Sequence, residues 1–111
     1  VGANLAYFSV FDNGHSGTAD TIDWAANGNK QKSTLTGNVT FTFTAPTGPA
    51  SLILKLVQDA TGSRLVTWPA AISWSGAVAP TLTTTAARVD IIMFYYDGTT
   101  YFGGSSLNFT V

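Results

Sequence analysis

One histidine, His15, stands in the segment "NGHSG" and is the only side chain of the 111 whose ordinary pKa lies near neutrality. Acid–base or nucleophilic catalysis would need it beside a hydroxyl and oriented by a carboxylate such as Asp12, Asp20 or Asp23. No G-x-S-x-G elbow is present to supply the hydroxyl, so His15 reads as a loop residue between glycines. All six acids are aspartates, spread singly along the chain. A glycosidase needs two carboxyls facing each other across one bond, and this spacing does not provide such a pair. Asp12, Asn13, Asp20 and Asp23 are oxygen donors of the kind calcium takes. They lack EF-hand spacing, and Asx residues in loops more often bond their own backbone. There is no cysteine. The expectation is a protein with no catalytic residues, no metal and no cofactor.

Aromatic residues offer the other chemistry, stacking. Trp68 and Trp74 bracket "PAAIS", and Trp24, Tyr95, Tyr96 and Tyr101 lie elsewhere. Exposed rings can stack on sugars, with Trp68, Trp74 and Tyr101 as candidate glycan contacts. The competing use is structural, since buried aromatics anchor small cores and interfaces. Asp59 and Arg64 flank "ATGS" and are placed to pair across a turn.

The elements that must carry these residues read as strands. Val, Ile, Thr, Phe, Tyr and Trp cluster in short runs between Gly, Pro, Asn and Asp. The clearest run is "NVTFTFT", with Val39, Phe41 and Phe43 on one face and Thr40, Thr42 and Thr44 on the other. "SLILKLVQD" and "RVDIIMFYY" are apolar on both alternating faces, which demands cover on both sides. Asp97-Gly98 marks a hairpin with a two-residue turn. About eight short strands in this length predict an all-β fold, an antiparallel β-sandwich or jelly roll with an extended N-terminal arm. The expected division is an arm and loop over 1–20 and a sandwich domain over 21–111, and no internal repeat is evident. Charged residues make up 10% of the chain against roughly 25% in an ordinary soluble domain. Apolar strand faces therefore predict subunit contacts through Leu5, Tyr7, Phe8, Val10 and Phe11 of the arm and through Ile53, Val57, Ile91 and Met93. These last four are expected to form core and inter-subunit packing together. With a net charge of −1 and five scattered basic residues, neither nucleic acid nor an anionic membrane is an expected partner.

The ordered blocks "TGNVTFTFT", "LILKLVQDATGSRLVTWP", "APTLTTTA" and "VDIIMFYYDGTTYFGGSSLNF", over residues 34–109, resemble a β-rich module of tailed-phage virion proteins. That resemblance implies a structural or adhesive role in a tail fibre, a spike or a small capsid-surface protein, and hence a place on the virion surface. Because the module fills nearly the whole chain, the expected role is a capsid decoration or cement subunit. It would be a homotrimer that contacts the major capsid protein. A tail fibre or spike domain binding host glycan is the alternative, and a filament subunit that donates its N-terminal strand is the third.

Overall fold

A computed structural model describes residues 9–111. Its strands are β1 (Phe11–His15), β2 (Ala19–Asp23), β3 (Lys30–Leu35), β4 (Val39–Thr44), β5 (Ala50–Gln58), β6 (Val66–Thr67), β7 (Ile72–Trp74), β8 (Val89–Tyr96) and β9 (Tyr101–Phe109). One helical turn, α1 (Trp24–Asn27), follows β2, and Asp23 caps it by accepting from the backbone N–H groups of Ala25 and Ala26.

The first six strands alternate between two sheets. β1, β3 and β5 lie side by side in a six-stranded sheet ordered β1-β3-β5-β8-β9-β7, while β2, β4 and β6 form a three-stranded sheet. Every neighbouring pair among these six strands is parallel. The chain therefore winds as a two-sheet coil and then reverses. β8 runs antiparallel to β5, β9 antiparallel to β8, and β7 parallel to β9. The fold is all-β as expected, but the antiparallel sandwich and jelly-roll expectation is corrected, because the smaller sheet is parallel throughout. Parallel neighbours need a long crossover, and here each crossover is itself a strand of the opposite sheet.

The turns of the coil stack on one another. Ser16 N–H donates to the Thr34 carbonyl at 2.8 Å, Thr36 N–H to Ser16 Oγ at 3.2 Å, and Gly17 N–H to Thr36 Oγ1 at 3.1 Å. A Cβ on Gly37 would lie 2.9 Å from the Gly17 carbonyl oxygen. The hydroxyl–glycine pairs Ser16–Gly17 and Thr36–Gly37 are thus successive copies of one turn, an internal repeat that the sequence reading missed. The boundary expected at residue 20 falls within β2, and Phe11–His15 already pair with β3.

Alternation packs the two sheets around one core. Ile22, Val39 and Phe41 of the smaller sheet meet Leu35, Leu52, Leu54, Leu56, Ile92 and Phe94 of the larger. Phe43 sits at the centre of an aromatic cluster, with ring centroids 5.7 Å from Trp24, 5.4 Å from Phe94 and 5.3 Å from Tyr101. Thr40, Thr42 and Thr44 face solvent, and Thr21 and Thr67 on the flanking strands stand level with Thr42 and Thr40. Threonine suits such a face, combining β propensity with a hydroxyl.

Candidate functional site: the outer face of the six-stranded sheet

In β5 the inward set is Leu52, Leu54, Leu56 and Gln58, so Ser51, Ile53, Lys55 and Val57 point outward. Ile91, Met93 and Tyr95 do the same in β8, and Phe102 in β9. Register aligns them in ranks. Ser51, Tyr95 and Phe102 form one, Ile53, Met93 and Gly104 the next, and Lys55, Ile91 and Ser106 the third. The four candidate contacts Ile53, Val57, Ile91 and Met93 thus share one outer face, and none of them belongs to the buried core. The expectation that they also form core is corrected, because it assumed both faces of β5 and β8 to be covered within the subunit.

The exposed apolar part of this face is contiguous. Tyr95 is 52% exposed, Phe102 48%, Met93 43% and Ile53 39%. The Tyr95 and Phe102 rings lie 6.5 Å apart and nearly parallel, at 21°. Beside them runs an open groove of about 330 Å³ lined by Ser51, Ile53, Met93, Tyr95 and Phe102. A second, of about 440 Å³, lies between Met93, Gly104 and Ser105 on one side and Ser75, Val78 and Pro80 on the other.

The glycan candidates read from the sequence lie largely elsewhere. Tyr101 is 6% exposed and its ring packs in the core, 4.6 Å from that of Tyr96. Burial, and then Tyr96, push its hydroxyl above the usual tyrosine pKa. Trp68 and Trp74 are half-buried against the core, 5.2 Å apart. Trp74 also borders the second groove. Tyr101 cannot stack on a sugar from inside the core, so that assignment is corrected. Phe102, the aromatic next to it, is the one that is exposed. Of the arm residues, Leu5, Tyr7 and Phe8 lie outside the described residues, while Val10 and Phe11 are exposed.

The loop that joins β8 to β9 holds the aromatic pair in place. It has four residues rather than the expected two. Asp97 Oδ1 accepts from the N–H groups of Thr99 and Thr100, and Asp97 N–H donates to the Thr100 carbonyl. Those two N–H groups, Thr100 first, hold the Asp97 carboxyl below its ordinary pKa. Asp59 and Arg64 do pair, at 2.9 Å. They brace the passage from β5 to β6, which belong to different sheets.

Three of the four oxygen donors weighed for calcium are engaged elsewhere. Asp12 accepts from Gly14 N–H and lies 3.8 Å from Lys32 Nζ, Asn13 donates to Gln31 and to the Lys32 carbonyl, and Asp23 caps α1. No group of three or more metal-binding side chains converges among the described residues. No helix among them is long and apolar enough to cross a membrane.

Residues 17–101 match the family model described as "Putative phage tail fibre C-terminal domain", and the chain belongs to that family. No curated protein and no solved structure matches the chain. The family is one of phage structural proteins, which agrees with a virion component that is not an enzyme. It also fits the tail-fibre alternative better than capsid decoration.

Proposed function

We propose that this domain is the part of a phage tail fibre that meets the host surface, and that its six-stranded sheet binds host glycan on the outer face. The observation that carries the reading is the exposed, nearly parallel Tyr95–Phe102 pair beside an open groove. The C–H face of a sugar ring is apolar, and two exposed, nearly parallel rings offer it aromatic surface to pack against. Ser51 supplies a hydroxyl at the rim of the same groove. Water-exposed aromatics gain from being covered, and a β-ladder holds these two rings in position before any ligand arrives.

The test is retention of the protein on host envelopes. Tyr95→Ala and Phe102→Ala should each weaken it about tenfold, the loss of roughly one stacked ring. Both side chains are exposed, so the fold should survive, with changes in stability within about 0.5 kcal/mol. Undiminished binding by both variants would sink the proposal.

A second reading rests on Ile53 and Met93, which are direct cross-strand neighbours and aliphatic rather than aromatic. The face they share suits contact with further copies of the chain, as in the homotrimer expected from the sequence. A standard interface takes about 800 Å² from each partner. Light scattering should then give a mass near three subunits, reduced to one by Met93→Lys. Antibody labelling of particles distinguishes tail from capsid placement.

A further inference from the structure

Three of the five basic residues stand on the same outer face as the aromatic pair. Lys30 and Lys32 point outward from β3 and Lys55 from β5. Lys32 is directly opposite Lys55, and Lys30 opposite Ile53. The other two are placed elsewhere, Arg64 on Asp59 and Arg88 on Asn108. Like charges set directly across a ladder repel, and one carboxylate offsets this pair. Asp12 lies 3.8 Å from Lys32, with both side chains partly exposed. Among the described residues Asp12 is the only acid on this face. Lys32 and Lys55 outnumber Asp12, which leaves this end of the face positive, on a chain whose net charge is −1.

The positive and aromatic ends of the face are close. Lys55 lies four residues along β5 from Ser51, the residue level with Tyr95, a run of about 13 Å. Between them lie Ile53 and Met93, level with each other. The face is therefore graded, from lysines through aliphatic side chains to stacked rings. A lysine ammonium is a compact point charge that suits phosphate or carboxylate oxygen.

We propose that the ligand of this face is an anionic saccharide polymer, its sugar rings on Tyr95 and Phe102 and its phosphate or carboxylate groups on Lys32 and Lys55. This rests on the glycan reading above and narrows it to one charge class. The intact protein should be titrated against a phosphate-bearing polymer (wall teichoic acid), a carboxylate-bearing one (polygalacturonate), neutral dextran and duplex DNA. The expected result is binding to one or both anionic saccharides, with weaker binding to dextran and DNA. Lys55→Gln should weaken it about fivefold, as for one exposed ion pair, and Lys55→Arg should restore it. Raising salt from low to about 0.5 M should weaken it further, because exposed charges are screened. The relative strength of the first two arms separates phosphate from carboxylate. Equal, salt-insensitive binding of dextran would overturn the charge assignment and leave the glycan reading standing. Failure to bind any saccharide would overturn both. DNA bound as tightly as the saccharides would show a general polyanion surface and overturn the inference. The circular dichroism of Lys55→Gln should match that of the parent protein, since the side chain lies outside the core.

Discussion

Gly103 and Gly104 are adjacent in sequence and opposite in what surrounds them. A Cβ on Gly103 would lie 2.6 and 2.7 Å from two carbons of the Trp74 ring and 3.2 Å from Phe94. One on Gly104 would meet nothing within 4 Å. The inward side of β9 is thus carved to the shape of an indole, and the outward side is free. Gly103→Ala should cost about 1–3 kcal/mol, as overpacking does, and Gly104→Ala should stay within about 0.5 kcal/mol. Urea unfolding of the two variants checks this, and equal costs would mean that Trp74 does not pack as described. The same parity governs "YF" just before these glycines. Tyr96 pairs with Tyr101 and Tyr95 with Phe102, so Tyr101 goes in and Phe102 out. The sequence alone offers two aromatics in a row, and nothing in their chemistry says which one faces the core. That depends on the register of a loop that is four residues long, where Asp97-Gly98 suggested two.

Within the strands, much was legible and the pairing was not. Alternation predicts which side chains share a face, and the faces of β4 and β5 are as read from Val39, Phe41 and Leu52, Leu54, Leu56. Period two carries no information on which strand lies next door. Lys32 and Lys55 are direct neighbours across a ladder and read as scattered charges in the sequence. The parallel coil was announced only by a dipeptide, Ser16–Gly17 and Thr36–Gly37, too short to stand out as a repeat. Two buried glutamines take up backbone groups that the crossovers leave without ladder partners. Gln31 Nε2 donates to the carbonyls of Asp23 and Gly28. Gln58 Nε2 donates to the carbonyls of Arg64 and Thr83, and its Oε1 accepts from Arg64 N–H. Gln58→Leu keeps the volume and strands these groups, so it should cost about 2 kcal/mol or more. A neutral result in chemical denaturation would mean that water replaces the side chain there.

Across the whole molecule, the carboxylates set how stability responds to acid. Arg64 beside Asp59, helped by the N–H groups of Gly62 and Thr61, holds that carboxyl below its ordinary value of 3.8, as backbone N–H groups do for Asp97. A depressed folded pKa means that the unfolded chain binds more protons. This stabilisation is complete above the ordinary carboxylate range and is lost as pH falls through the folded values. Asp20 works the other way. Burial raises its pKa, and its Oδ2 is buried without a partner, so its charge is a cost at neutral pH that acid relieves. Asp20→Asn should therefore stabilise the protein at pH 7, and the gain should shrink as pH falls through the raised folded value and be gone below the ordinary value of 3.8, read from urea midpoints against pH. An equal gain at both ends would remove ionisation as the cause.

All three tryptophans belong to one ring cluster. Trp24 and Trp68 each touch Phe43, and Trp68 and Trp74 lie 5.2 Å apart at 65°. Two indoles so close and so inclined should couple their excited states, and the paired band expected in circular dichroism should vanish when the cluster loosens. The exposed pair that faces the proposed ligand contains no tryptophan. The protein thus carries an optical gauge of its own packing, set at Trp68 and Trp74 rather than at the exposed pair.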